Sequence, residues 1–166
     1  MEVVRLKDID ETHPATLSGG DIPLHIARLK MHAYDMALRP GEVLITADTI
    51  VWVEGQELGK PVDAVDARRM LHLLSGRTHQ VFTAVCLRSA IDHREFVCCT
   101  DVTFAPLSDQ QIDYYISTYR PFDKAGAYGI QEWIGYVGCT RLEGSYFNVM
   151  GLPVQKLYQH LQLFKV

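Results

Sequence analysis

The chain has 166 residues, of which 48% are hydrophobic and 22% charged, and this balance is typical of one globular domain rather than a disordered or fibrous chain. Its net charge of -4, with no cluster of basic residues, argues against a general nucleic-acid-binding surface. No apolar run reaches the roughly 18 residues of a membrane span, no signal peptide is evident, and the four cysteines form no CxxC pair, so we expect a cytoplasmic domain with reduced thiols.

The first predicted element is a short strand over residues 1–6. A polar, turn-rich loop over residues 7–20 follows, and it contains the carboxylate pair Asp10 and Glu11. Acidic residues in a loop are usually solvated, so on the residues alone this pair is interpreted as an exposed turn.

A helix is then predicted from Asp21, interpreted as its N-cap, to the terminator Pro40-Gly41. Pro23 fits the first turn of a helix because no intrahelical donor is lost there. Lys30 lies beside the apolar stripe of this helix, where a lysine faces solvent by default. The stripe consists of Ile22, Ile26, Leu29, Ala33 and Met36.

The central stretch of the chain is VLITADTIVWVEGQELGKP, residues 43–61. Its apolar, β-branched run carries one carboxylate, Asp48, and burying an ion costs free energy unless a charge compensates it. We therefore expect a cationic group beside Asp48. The run turns through Glu54-Gly55-Gln56, so Lys60 can return within reach of that carboxylate. Such a pair suits a charged, metal-carrying substrate, although a strand-end Asp in solvent is the alternative.

Three further helices are predicted. One is capped by Asp63, the next by Ser108, and the last follows Gly151-Leu152-Pro153. The pair Arg68-Arg69 lies within the first of these and is expected to face solvent. Helical spacing predicts three buried faces, which are Ala64, Ala67, Met70, Leu71 and Leu74; then Ile112, Tyr115 and Ile116; and finally Val154, Leu157, Tyr158 and Leu161.

Two β-rich segments, residues 78–87 and 95–104, predict an antiparallel pair, and Trp133 to Cys139 is expected to form a further short strand. His79 is interpreted first as a hydrogen-bonded strand residue and second as a ligand or base, because no second histidine lies at metal-ligand spacing. The fold class that follows is mixed α/β, with a partly antiparallel sheet flanked by helices.

Five segments carry information together: ITADTIVW, LGKP, LSGRTHQVFTAV, DKAGAYGIQ and GSYFNVMGLPV. The fourth places two glycines and two alanines around Asp123-Lys124, which lets a backbone lie close to another group, although an ordinary loop is an equal alternative. In this order the five segments closely resemble the Maf family of nucleoside triphosphate pyrophosphatases. The resemblance implies a Maf/inosine-triphosphatase-like architecture. It also implies hydrolysis between the α- and β-phosphates of a nucleotide, with a divalent cation such as Mg²⁺ or Mn²⁺.

The resemblance also implies roles for individual residues. Asp48 matches the proposed general base and Lys60 a phosphate-facing lysine. Glu11 matches the functional position of a DE pair, and Lys30 a lysine on the first long helix. Glu11 and Asp48 can share the metal, while the two lysines neutralise phosphate oxygens. Whether Asp48 accepts the proton or mainly binds the metal stays open.

Two positions bear on the nucleobase. Thr49 and Gln131 resemble the branch of the family that acts on dTTP and UTP. A glutamine amide offers one donor group and one acceptor, which complement a carbonyl and the adjacent N–H of uracil or thymine. Lys124 is the third residue assigned to substrate binding. We therefore expect a preference for these pyrimidine nucleotides.

One departure from the family concerns its opening strand and SxSPRR loop, whose serine and arginines resemble a triphosphate cradle. Nothing before Glu2 matches that pattern, and Arg68-Arg69 does not replace it, because this pair lies within a predicted helix with no Ser-Pro ahead of it. Arginines in that loop would give bidentate phosphate contacts that lysines cannot replace. Residues 1–166 therefore resemble a single Maf domain that is incomplete at its N-terminus. We expect such a loss to leave a sheet edge or an apolar groove exposed.

Three functions are compared. The first is a cytoplasmic enzyme that removes surplus or non-canonical pyrimidine nucleotides. The second is a catalytically impaired Maf-like protein that binds nucleotide or a partner linked to cell division. The third is an inactive fragment. A homodimer is the default expectation on symmetry grounds, and neither nucleic acid nor a membrane is expected as a partner.

Overall fold

The computed structural model describes residues 3, 4 and 9–166. Its centre is a five-stranded sheet with the order β2-β1-β3-β4-β5, in which all neighbouring strands are antiparallel. The strands are β1 (Leu44–Val53), β2 (Gln56–Leu58), β3 (Thr78–Arg88), β4 (His93–Phe104) and β5 (Cys139–Glu143). The helices are α1 (Asp21–His32), α2 (Ala64–Leu74), α3 (Asp109–Tyr119), α4 (Trp133–Gly138), α5 (Tyr146–Val149) and α6 (Val154–Gln162).

The predicted mixed α/β class is confirmed, and strand alternation explains how the helices cover the sheet. Even-numbered residues of β1 face α1, because Ile50 packs with Ile22 and Ile26 of that helix. Odd-numbered residues face the other side, where Val51 packs against α2 and α3 and Val85 of β3 packs against α6. Consecutive residues of β1 therefore serve opposite faces of the sheet.

The hairpin between β1 and β2 forms at the predicted turn. Glu54 and Gly55 have φ angles of 50° and 78°, as a tight two-residue hairpin loop requires, and Val53 pairs with Gln56. Strand β2 pairs with β1 only over Val51–Val53. In the described part of the chain, residues 44–50 of β1 pair with β3 alone. Among the described residues, no strand is therefore paired with this edge of β1 beside Asp48.

Helix α1 is shorter than predicted, and its cap differs. Gly20 is the N-cap, while Asp21 lies in the first turn, where its charge still suits the helix dipole. The helix ends at His32, and the Tyr34 carbonyl accepts a hydrogen bond from Arg88 Nη2 at 3.1 Å. Ala33 and Met36 therefore lie beyond the helix and are exposed, and Leu29 is only partly buried. The buried face is Ile22, Pro23, Ile26, Ala27 and Met31.

The strand predicted over Trp133 to Cys139 is wrong, because residues 133–138 form helix α4 and only Cys139 begins a strand. A short apolar run fits either structure by pattern alone. Here Ile134 and Gly138 are buried at a spacing of four, and the Glu132 carbonyl accepts hydrogen bonds from two following amides. The helical pattern therefore decides the local structure.

The other helices largely follow the prediction. Asp63 caps α2 by accepting a hydrogen bond from Asp66 N at 2.8 Å, and Ser108 forms a complete capping box on α3. Three residues assigned to buried faces are exposed. Ala64 lies at the start of α2, and Val154 and Tyr158 flank the narrow contact that α6 makes through Leu157 and Leu161, which Phe164 extends beyond the end of the helix.

The strand predicted over residues 1–6 cannot be compared in full, because residues 1, 2, 5 and 6 lie outside the described residues. Val3 and Val4 are described, are exposed and are not in a strand. Within the described range, no helix is long and apolar enough to cross a membrane.

The glycine-rich loop, residues 121–131, packs directly on β1. This agrees with the first of the two interpretations of its sequence, in which the glycines and alanines let the backbone lie close to another group. Gly126 has a φ of 67°, and a Cβ atom there would lie 2.9 Å from Val51 Cγ2. Its amide donates to the Gly59 carbonyl at 3.0 Å. The loop is therefore held against β1 and against Gly59, just after β2, which brings its polar residues to the edge of β1 beside Asp48.

We expect Gly126→Ala to destabilise the protein more than Gly55→Ala. Gly55 has a φ of 78° and no atom within 4 Å of its Cβ position. Its substitution should therefore lower the free energy of unfolding only through the cost of a left-handed backbone, about 1–2 kcal/mol. The contact with Val51 should add about 1–3 kcal/mol. Urea unfolding of the two variants measures the difference in the free energy of unfolding. Equal losses would contradict the tight packing of the loop on β1.

Candidate active site

A cleft of about 280 Å³ opens at the edge of β1 beside Asp48. Its wall is formed mainly by β1, by Lys60 just after β2, by the glycine-rich loop and by residues 149–151 at the end of α5. The structure brings five of the predicted site residues to this cleft, namely Asp48, Thr49, Lys60, Lys124 and Gln131. The other two, Glu11 and Lys30, line an adjoining cavity, and Ala47 borders both spaces.

The cation expected beside Asp48 is present, but it is Lys30 rather than Lys60. Lys30 Nζ lies 2.6 Å from Asp48 Oδ1 and 3.0 Å from Glu11 Oε1. The default expectation of a solvated lysine is thus wrong for Lys30, whose side chain is only 22% exposed, because even-numbered residues of β1 face α1. Lys60 is exposed and lines the cleft, and the described ion pairs do not include it.

The electrostatics of this cluster favour an added cation. Burial raises the pKa of Asp48, and this effect outweighs its hydrogen bond and charge interaction with Lys30. Burial lowers the pKa of Lys30, but the contacts with Asp48 and Glu11 outweigh burial and raise it overall. Both shifts include the negative charge of Glu11. Two carboxylates around one ammonium leave an excess negative charge, which stabilises protons or metal ions nearby.

The residues fit a divalent metal only as a partial ligand set. In the part of the chain that the structure describes, no group of three His, Cys, Asp or Glu side chains could hold a metal ion. Asp48 and Glu11 supply two carboxylates close to the same ammonium. Mg²⁺ is commonly bound by one or two carboxylates together with water and substrate phosphates. The donor set therefore suits a cation whose coordination is completed by a phosphate-bearing ligand.

Lys124 is held in the cleft by contacts that the sequence did not indicate. Its Nζ lies 2.9 Å from Asp123 Oδ1 and 3.4 Å from Glu132 Oε1. The Tyr115 hydroxyl donates to the Glu132 carboxylate and accepts from Gly129 N, the latter at 3.0 Å. Tyr115 is fully buried, and it was predicted only as a core residue of α3. The lysine is therefore positioned by the core beneath the loop.

Thr49 faces the side of the sheet opposite to Asp48. Its Oγ1 lies 2.8 Å from Thr83 Oγ1 on β3, and Thr83 donates to the Asn148 carbonyl at 2.8 Å. Gly151 borders Thr49 closely, because a Cβ atom there would lie 3.5 Å from Thr49 Oγ1. Thr83 and Asn148 were not predicted as site residues. Asn148 lies in one of the five segments, which was its only signal in the sequence.

The remaining predicted residues are placed as follows. The backbone carbonyl of Gln131 accepts from the Tyr136 hydroxyl at 2.5 Å, and the residue is exposed where it lines the cleft. His79 is a buried, hydrogen-bonded strand residue, as first interpreted: its Nε2 lies 2.7 Å from the Tyr128 hydroxyl. Burial lowers the pKa of His79 to about 4. Arg68 and Arg69 pair with acidic residues outside the cleft.

A family model described as "Maf-like protein" matches residues 1–164. The chain belongs to the Maf family. This confirms the resemblance that the five segments carry.

Curated Maf relatives are similar over almost the whole chain. A protein of Phocaeicola vulgatus is 57% identical over 161 residues, which are 97% of this chain and 83% of the relative. One of Bacteroides fragilis is 56% identical over 160 residues, 96% of this chain and 83% of the relative. One of Flavobacterium psychrophilum is 49% identical over 158 residues, 95% of this chain and 81% of the relative. All three are named dTTP/UTP pyrophosphatase.

Two substitutions should move the pKa of Asp48 in opposite directions. Glu11→Gln removes a negative charge that raises this pKa, so the value should fall. Lys30→Met removes the hydrogen bond and charge that lower it, so the value should rise. Carboxyl-carbon NMR of the Asp48 side chain across a pH titration measures both shifts. Glu143→Gln, on exposed β5, is the control and should leave the titration unchanged. Shifts of the same sign would contradict the cluster.

Proposed function

We propose that this Maf protein hydrolyses dTTP and UTP to the nucleoside monophosphate and pyrophosphate. The observation that carries the proposal is the buried carboxylate Asp48, paired with Lys30 at the edge of a cleft that also presents Lys60 and Lys124. The names of the relatives support the same substrate class. The alternative of a nucleotide- or partner-binding protein linked to cell division is not favoured, because these relatives are named as enzymes.

Cations on two sides of β1 suit a triphosphate. Lys60 and Lys124 line the cleft, and Lys30 approaches from α1. Cleavage of a phosphoanhydride depends on positioning and on charge stabilisation at the phosphate oxygens. In this proposal Lys60 and Lys124 neutralise phosphate oxygens. Asp123 and Glu132 hold the ammonium of Lys124 in place.

Asp48 is proposed as the group that accepts a proton from the attacking water. A general base works best when its pKa lies closer to the working pH than that of an ordinary carboxyl, and burial raises the pKa of Asp48 in that direction. Its side chain is 12% exposed, so it is reachable from the cleft while remaining largely desolvated. The hydrogen bond from Lys30 fixes one carboxylate oxygen and leaves the other available.

Glu11 and Asp48 are proposed to hold a divalent cation, Mg²⁺ or Mn²⁺. When bound, such an ion neutralises charge on the phosphoryl oxygens of the substrate. Glu11 is 42% exposed and Asp48 is 12% exposed, so the pair reaches from solvent to the wall of the cleft. Lys30, which contacts both carboxylates, offsets part of their negative charge.

Thr49 and Gln131 are proposed to contact the nucleobase. Both line the cleft. The side chain of Thr49 points to the face of the sheet opposite to the Asp48 cluster, and the cleft that it lines also presents Lys60 and Lys124. We also propose that residues 1–166 act as a single domain in the cytoplasm and that the protein forms a homodimer.

Asp48→Asn should reduce pyrophosphate release from dTTP and UTP by at least about 100-fold, because the amide cannot accept the proton. Release from dTTP, UTP, CTP and GTP is measured with Mg²⁺ for the wild type and the variant. Circular dichroism and thermal unfolding establish that the variant is folded. Asp35→Asn, an exposed residue after α1, is the matched control and should retain the wild-type rate. Retention of most of the rate in Asp48→Asn would exclude Asp48 from the mechanism.

Removal of divalent metal with EDTA should abolish pyrophosphate release, and added Mg²⁺ or Mn²⁺ should restore it. Because Glu11 is proposed as a metal ligand, Glu11→Gln should raise the Mg²⁺ concentration that gives half of the maximal rate. Glu143→Gln serves as the control for loss of one carboxylate and should behave like the wild type. Full activity in EDTA, or an unchanged Mg²⁺ dependence in Glu11→Gln, would contradict the metal assignment.

A further inference from the structure

We propose that Thr83, a buried residue behind the cleft, fixes the direction of the hydrogen bonds of Thr49. The cleft thereby favours a pyrimidine whose ring nitrogen N3 carries a hydrogen. This inference rests on the proposed function of the cleft, and it assigns a positioning role to a residue that does not line it. Thr83 is fully buried, and its backbone is the register partner of Thr49 in the β1–β3 pair.

The direction follows from counting hydrogens. Thr83 Oγ1 lies 2.8 Å from two oxygens, the carbonyl of Asn148 and Oγ1 of Thr49. Each such close approach of two oxygens requires a hydrogen between them. The carbonyl has none, so the single hydrogen of Thr83 is used on Asn148. The hydrogen of Thr49 must then point to Thr83.

The Asn148 carbonyl is fixed in place, so the first bond cannot easily turn away. Asn148 is fully buried. Its side-chain amide donates to the Val81 carbonyl and to Thr100 Oγ1, each at 3.0 Å. Its own amide donates to Ser145 Oγ at 3.3 Å, which caps α5. The carbonyl that orients Thr83 is therefore anchored to β3, β4 and the start of α5.

The consequence for the cleft is that Thr49 presents only lone pairs. Uracil and thymine carry a hydrogen on N3, whereas N3 of cytosine is an acceptor. In this inference N3–H of uracil or thymine donates to Thr49, which leaves a base carbonyl to the amide of Gln131, whereas N3 of cytosine in the same place would meet a second acceptor. A polar group left unpaired in a desolvated site lowers affinity by about 10- to 100-fold. The orientation of one buried hydroxyl thus separates UTP from CTP.

The test compares Thr83→Val with Thr83→Ser. Valine has nearly the same shape as threonine but lacks the hydroxyl, so the hydrogen of Thr49 becomes free to turn into the cleft. Affinities for the non-hydrolysable analogues α,β-imido-dUTP and α,β-imido-dCTP are measured by calorimetry with Mg²⁺. The wild type and Thr83→Ser should prefer the uracil analogue by about 10- to 100-fold. In Thr83→Val the preference should fall by about 10-fold or more.

A matched control exists on the same strand. Thr78 Oγ1 lies 2.8 Å from Thr103 Oγ1, so this is another cross-strand pair of threonines, and it lies outside the cleft. Thr78→Val should leave the preference unchanged. If Thr83→Val fails to fold, Thr83→Cys replaces it, and its weakly donating thiol should give a preference between those of the wild type and parity.

The inference would be overturned if Thr83→Val preferred the uracil analogue over the cytosine analogue as strongly as the wild type does. An equal loss in Thr83→Ser would also overturn it, because that result would indicate a role in packing alone. Pyrophosphate release by the wild-type protein is measured in parallel. Absence of turnover with an intact binding preference would refute the proposed enzyme while leaving the role of Thr83 supported. Failure of the wild type to bind either analogue would overturn both.

Discussion

The burial of one carboxylate in the middle of an apolar strand is the constraint on which the site depends. Asp48 lies among β-branched residues of β1, and an ion in that position needs a compensating charge. The ammonium of Lys30 supplies it from α1, which packs on the same face of the sheet. The same ion pair therefore holds α1 on the sheet and compensates the charge of Asp48. Glu11 also contacts Lys30 and extends this cluster to the surface.

Strand alternation gives the two neighbouring site residues of β1, Asp48 and Thr49, different partners. Because consecutive side chains of β1 point to opposite faces, Asp48 meets the charged residues of α1, while Thr49 meets a network of neutral hydrogen bonds built by β3 and α5. The glycine-rich loop closes the third side, and Gly126 allows it to touch Val51. Asp48 and Thr49 are thus adjacent in the sequence and line the same cleft, but their side chains have partners on opposite faces of the sheet.

Much of this arrangement could be predicted from the sequence because it depends on local pattern. The hairpin turn at Glu54-Gly55 and the caps of α2 and α3 follow from residue types at fixed spacing. Prediction from the sequence fails where contacts between residues distant in the chain determine the local structure or the environment of a side chain. The short apolar run after Glu132 fits a strand or a helix, since periodicity is uninformative over six residues. Residue pattern alone predicts a solvated Lys30 because its partners lie in other elements, and only the family resemblance indicates its place in the site. The register that sets Thr49 opposite Thr83 likewise has no local signature.

The chain of hydrogen bonds behind Thr49 has an evolutionary consequence. It ends on a main-chain carbonyl, that of Asn148, and every amino acid supplies such a carbonyl. Substitution at that position cannot remove the acceptor; it can only shift it. Heritable change in the hydrogen-bonding polarity of the Thr49 hydroxyl is therefore concentrated at two codons, those of Thr49 and Thr83. A lineage that altered its nucleotide preference through this hydroxyl would show substitutions at these positions. One of them, Thr83, does not line the cleft.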